Sequence, residues 1–115
     1  MAHDIHAQIR YLSISAQKVR LVVDLVRGKD ATRAMDILRF APQAAAQPVS
    51  KLLASAIANA EENFGVSRDD LFVAKIFADE APTRKWRRFG ARGRFKPIMR
   101  RTSHVTVILR EHEAA

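Results

Sequence analysis

The chain contains no cysteine, which excludes disulfides and thiolate metal sites and fits a reducing compartment. No apolar run approaches the roughly 20 residues that a membrane-spanning helix needs. The opening residues Met1-Ala2-His3-Asp4 lack the basic and then apolar pattern of a secretory signal. A cytoplasmic protein with no membrane partner is therefore expected. One stretch, residues 84–101, has no acidic residue at all.

What is present is ordinary except in one place. At 115 residues, with 48% hydrophobic and 28% charged, the composition is that of one compact globular domain. A domain of this size buries about two thirds of its unfolded surface, enough for a core without staples. The chain carries 20 Lys and Arg against 12 Asp and Glu, a net charge of +8. Within 84–101 stand Arg84, Lys85, Arg87, Arg88, Arg92, Arg94, Lys96, Arg100 and Arg101, so that segment alone is +9. The remainder holds 11 basic and 12 acidic residues and is nearly neutral. The whole excess sits on one contiguous piece of chain.

Periodicity supplies the elements. Ile5, Ala7, Ile9 and Tyr11 alternate with His6, Gln8 and Arg10, predicting a strand with the first set inward. Ser13 or Ser15 can cap a helix running to Arg27 and stopped by Gly28. Val19, Val22, Val23 and Val26 share its inner face, and Gln17, Arg20, Asp24 and Arg27 the opposite one. Leu21 and Leu25 widen the apolar arc, predicting contact with more than one neighbour. Asp30 can cap a short second helix with Ala31, Ala34, Met35 and Leu38 inward, ending near Ala41-Pro42. Ala45, Val49, Leu52, Leu53, Ala56, Ile57 and Ala60 form the best helical stripe, which either begins near Pro48 or, as we expect, kinks there. Residues 63–70 read as a polar loop, and 71–78 and 105–109 as strands. About 25 residues separate those strands, too many for a structureless loop in a compact domain. Both strands are expected to run outward as a long β-hairpin turning at 89–93. Ten strand residues span about 33 Å, so the arm should project about as far as a globule of this length is wide. A body of about 1–80 and 102–115 would carry an arm of about 81–101.

No catalytic constellation survives inspection. His3, His6, His104 and His112 lack the i, i+4 spacing of a helical metal site. Glu61-Glu62, Asp69-Asp70 and Asp79-Glu80 are sequence neighbours, which rarely converge on one substrate. Arg27-Gly28-Lys29 and Arg92-Gly93-Arg94 lack the spacing of a phosphate-cradling loop. No enzyme activity, cofactor or metal is expected. The basic segment differs, because Lys and Arg neutralise phosphates and Arg also stacks on bases. Trp86, Phe89 and Phe95 are interleaved among the charges with Gly90 and Gly93, as suits packing against unstacked bases. An irregular ribbon matches folded RNA better than a regular DNA major groove. Lys18 and Arg20, near the start of the first helix, add phosphate-binding capacity beside its N-terminal amides.

Three stretches carry a resemblance: Ser15-Ala16-Gln17-Lys18-Val19-Arg20-Leu21-Val22 with Leu25-Val26-Arg27-Gly28-Lys29; Ser55-Ala56-Ile57-Ala58-Asn59-Ala60-Glu61; and Arg100-Arg101-Thr102-Ser103-His104-Val105-Thr106-Val107. In this order and spacing they resemble the bacterial family of large-subunit ribosomal protein twenty-two. The resemblance implies an α+β fold, three helices packed on a small antiparallel sheet with a long protruding basic β-hairpin. It further implies a body near the mouth of the exit tunnel and a hairpin threaded through 23S ribosomal RNA, with its tip in the tunnel wall. Implied partners are that RNA, neighbouring large-subunit proteins and the nascent polypeptide; no homo-oligomer is expected. Assistance in subunit assembly and a link to macrolide sensitivity are also implied. The family's constriction loop falls on Arg84-Lys85-Trp86 and the tip on residues 90–94. Trp86, Arg87-Arg88-Phe89-Gly90 and Pro48 depart from the family's common pattern. Two readings from other classes are a free nucleic-acid chaperone and a module for anionic membranes, since basic residues with Trp also suit a bilayer surface.

Overall fold

The computed structural model describes residues 4–89 and 95–112, with side chains for 4–82 and 101–112. Strand β1 (Asp4–Leu12) leads into helices α1 (Ala16–Val26), α2 (Ala31–Phe40) and α3 (Ala46–Phe64). A single 3-10 turn, Arg68–Asp70, precedes the long strands β2 (Leu71–Phe89) and β3 (Phe95–Glu111). The strands form one antiparallel sheet in the order β1-β3-β2. This is the expected α+β fold.

Alternation along β3 decides where the core lies. Val105, Val107 and Leu109 are fully buried toward the helices, while His104, Thr106, Ile108 and Arg110 occupy the other, helix-free face. Ile5, Val73, Ile76 and Ala78 join the buried side from the flanking strands. The helices meet them with Val19, Val22, Val23 and Val26 from α1, Ala34 and Leu38 from α2, and Val49, Leu52, Leu53, Ala56, Ile57 and Ala60 from α3. Burying each Val or Leu stabilises by about 1.5–3 kcal/mol. Helix α1 packs on both long strands and both other helices, but through its valines. Leu21 and Leu25, expected to meet further neighbours, remain exposed.

Three local expectations need correction. Pro48 does not kink α3, because the helix starts at Ala46 and the proline falls in its first turn. The first four helical N–H groups have no intrahelical acceptor, so a missing one there costs nothing; the first such bond runs from the Val49 N–H to the Ala45 carbonyl, 3.2 Å. The loop expected from residue 63 begins later, since α3 runs to Phe64 and ends at Gly65, whose φ of +65° provides the left-handed cap. Tyr11 does not face inward. Two residues of β1, Arg10 and Tyr11, stand opposite one of β3 between the Ile9–Val105 and Leu12–Ser103 pairs. This bulge breaks the alternation, keeps Leu12 on the core side and turns Tyr11 to the open face with φ +56°.

Beyond the Ala81–Thr102 pair, β2 and β3 pair with each other alone as far as Phe89–Phe95. The connecting residues 90–94, including Gly90, Arg92, Gly93 and Arg94, lie outside the described residues. The long strands stretch the molecule to 69 × 25 × 18 Å with a radius of gyration of 17.4 Å, against about 13 Å for a compact globule of this length.

Candidate nucleic-acid interface

Strand register sets where the basic residues fall on the ribbon. Arg84 stands opposite Arg100, Lys85 opposite Met99, Trp86 opposite Ile98, Arg87 opposite Pro97, and Arg88 opposite Lys96. Like charges directly opposite one another weaken a strand pair, and here they recur twice within five rows. Pro97 removes a ladder donor, which a ribbon tolerates because each of its strands has an outer edge. The ribbon leaves the sheet at a second irregularity, between Ala81 and Arg84, that contains Pro82.

The root of the ribbon is tied down by the Thr102-Ser103-His104 motif. The Thr102 hydroxyl donates to the Pro82 carbonyl across the ribbon, 3.2 Å. The fully buried Ser103 hydroxyl donates to the Ile14 carbonyl, 2.8 Å, locking the turn before α1 onto β3. Ile14 lies in the bend before α1, and Pro82 in the register shift of β2, so neither carbonyl sits in a regular ladder pair. The sequence marked these residues only through resemblance; the polarity of Ser103 at an inward position was the available physical signal.

Helix α1 lies along the open edge of β2 with its N-terminus toward the ribbon. Arg20 Nε donates to the Ala78 carbonyl, 3.2 Å, and Arg27 donates through Nε and Nη2 to the Ile76 carbonyl, 3.3 and 3.0 Å. Gly28, at φ +77°, turns the chain so that its N–H reaches the Val73 carbonyl, 3.0 Å, and the Val73 N–H returns to the Lys29 carbonyl, 2.9 Å. An exposed strand edge invites pairing with other chains, and these contacts cover it. Arg20 is thereby anchored at the ribbon's root while staying exposed, with exposed Lys18 two residues before it and exposed Arg101 on β3. Ser15 caps α1 without a side-chain bond, and no acid stands in the first turn. Its N-terminal amides therefore add favourably to any anion held there.

Several other charged groups pair locally. Arg68 pairs with Glu61 at 2.9 Å, His112 contacts Asp30 at 2.8 Å while stacking on Phe72, and Arg110 bridges to Asp4 at 2.8 Å. Among the described residues no group of three His, Asp or Glu could hold a metal ion, and no helix is long and apolar enough to cross a membrane.

The sequence profile of the family described as ribosomal protein L22p/L17e matches residues 7–110. The chain belongs to that family. The match reaches into every element of the fold, from within β1 to the penultimate residue of β3. Among individual relatives, the large ribosomal subunit protein uL22 of Pediococcus pentosaceus is 48% identical over 107 residues, covering 93% of this chain and 91% of that protein. Members of this family are structural ribosomal proteins, not enzymes. The three stretches that carried the resemblance fall on α1, on the core stripe of α3 and on the pinned root of β3.

Proposed function

We propose that the chain is a structural constituent of the large ribosomal subunit that binds 23S ribosomal RNA, aids assembly, and lines the peptide exit tunnel with its hairpin tip. The observation that carries this reading is one of placement. The entire positive excess of the chain falls within residues 84–101, where β2 and β3 pair with each other alone at Arg84–Phe89 and Phe95–Arg100. Arg84, Lys85, Arg87, Arg88, Arg92, Arg94, Lys96, Arg100 and Arg101 would neutralise phosphate along the ribbon. Lys18 and Arg20 would do so at its root. Trp86, Phe89, Gly90, Gly93 and Phe95 would stack on bases or face the tunnel lumen. On this reading residues about 81–101 are an arm, and about 1–80 with 102–115 a body. Partners are the RNA, neighbouring large-subunit proteins and the nascent polypeptide, in the cytoplasm, with no cofactor or second copy required.

The test is the salt dependence of binding to 23S ribosomal RNA. With five to nine charges on phosphates, log K should fall against log salt with a slope of roughly −4 to −8. A slope near zero would mean that the basic segment is not the binding element. A sucrose gradient of cell lysate should carry the protein with the large subunit; sedimentation with vesicles or with many other RNAs would favour a membrane module or a free chaperone.

A further inference from the structure

The bulge at Arg10 and Tyr11 keeps Leu12 on the core side, but packing alone does not call for a tyrosine there. Among the described residues Tyr11 alone, apart from glycines, has a positive φ. A bulge residue in this region is ordinarily glycine, since a Cβ crowds the following carbonyl. Here it is the chain's single tyrosine. Nor does the ring repay the conformation by filling the core, because Tyr11 is 54% exposed. What it does touch is His104, edge to face, with ring centroids 4.7 Å apart and planes at 84°. The Tyr11 N–H donates to His104 Nδ1, 3.1 Å, which ties the ring to the bulge backbone. An aromatic ring is thus held in a set orientation on the helix-free face of the sheet. Exposed Arg10 adjoins it. Asp79, which stands opposite His104 on β2, makes that flank unsuitable for phosphate and leaves Arg10 to orient the backbone.

We infer that the Arg10–Tyr11 bulge, braced by His104, is a base-stacking site for one unpaired nucleotide of RNA at the root of the ribbon. The proposal rests on the RNA-binding reading above and adds to it a site on the face of the sheet opposite Lys18 and Arg20. Stacking on a preset ring needs no base-specific hydrogen bond and tolerates any base. With Arg10 on one face of the sheet and α1, with Lys18 and Arg20, on the other, RNA would hold the ribbon's root from both sides.

The experiment measures binding of full-length 23S ribosomal RNA across several salt concentrations for the wild type, Tyr11→Gly, Tyr11→Asn, Tyr11→Phe and Arg10→Ala. Glycine and asparagine both accept the left-handed conformation, so these variants should fold with unchanged or higher melting temperatures. Both should bind roughly 5- to 100-fold more weakly, with the wild-type salt slope. Tyr11→Phe should keep wild-type affinity, and Arg10→Ala should reduce the slope by about one. Ultraviolet crosslinking of intact large subunits should place a nucleotide on the peptide containing Tyr11. Wild-type affinity in folded Tyr11→Gly or Tyr11→Asn would overturn the proposal, as would a Tyr11 crosslink to protein instead of RNA. Absence of salt-dependent binding by the wild type itself would instead overturn the broader RNA reading, so the two failures are distinguishable.

Discussion

Strands β2 and β3 run through two very different environments, and the contrast between their inner and outer halves explains how the molecule is organised. In the inner half, Val73, Ile76 and Ala78 lie in a sheet with Val105, Val107 and Leu109, and three helices cover that face. In the outer half the same two strands continue in antiparallel register, but the rows now read Arg84–Arg100 and Arg88–Lys96 and no third strand joins them. Backbone pairing is common to both halves. Packing is what differs, and an isolated two-stranded ribbon is marginal in water. The inner half is held by the protein's own core; the outer half has no such core beside it and carries like charges on facing positions.

The strongest way to break this contrast is to remove the outer half. Replacing residues 84–100 with a short glycine turn should leave a cooperatively unfolding protein. Its RNA affinity should fall by more than about 100-fold at moderate salt, and its salt slope should shrink to roughly −3 to −4, as expected for about four remaining phosphate contacts at Arg10, Lys18, Arg20 and Arg101. Subunits that carry it should show altered nascent-chain passage and macrolide response. Loss of folding would mean that the ribbon belongs to the core after all. A substitution in each half sharpens the same point. Leu53→Ala, at a fully buried position on α3, should cost about 3–5 kcal/mol in denaturant melts. Trp86→Ala, on the ribbon, should stay within about 1 kcal/mol. Equal losses would erase the distinction.

Smaller effects probe the seam between the halves. Arg27→Ala removes both N–H bonds to the Ile76 carbonyl on the open edge of β2, and water can replace them in part. A loss of about 1 kcal/mol is expected, together with greater self-association at high concentration, readable by light scattering. An unchanged melt and unchanged scattering would mean that Gly28 and Lys29 suffice to cover the edge. The smallest effect concerns the Asp4–Arg110 pair that ties β1 to β3. The Arg110 hydrogen bond, aided by its charge, holds the Asp4 carboxyl below its ordinary 3.8. A pKa lowered by folding means stability that is present above the ordinary value and lost as pH falls through the lowered one. The small melting-temperature gap between wild type and Asp4→Asn should therefore close between about pH 5 and about pH 2. A gap that widened on acidification would contradict the pairing.

Much of this architecture could be read before any coordinates. The 3.6-residue stripe of α3, the valine face of α1, the period-two run of β3 and the unbroken charge of residues 84–101 are each written in neighbouring residues, where local geometry and composition suffice. Pro48 was misjudged because its effect depends on its place within a turn, and the start of α3 is set by the Ala45 carbonyl and not by a recognisable cap. Residues 63 and 64 read as loop because Asn63 and the nearby Gly65 are turn formers, whereas α3 runs on to Phe64.

What the sequence by itself determined is the class of the fold, the core-facing residues and the separation of a neutral body from a basic extension, since periodicity and charge are properties of consecutive residues. Only the tertiary structure decided that Arg20 and Arg27 cap the edge carbonyls of β2, that Ser103 locks the turn at Ile14, and that a bulge sends Tyr11 outward against His104. Those contacts join residues 49 to 93 positions apart. No local pattern encodes such pairs, because they exist only once strand register and helix placement have brought distant backbone together.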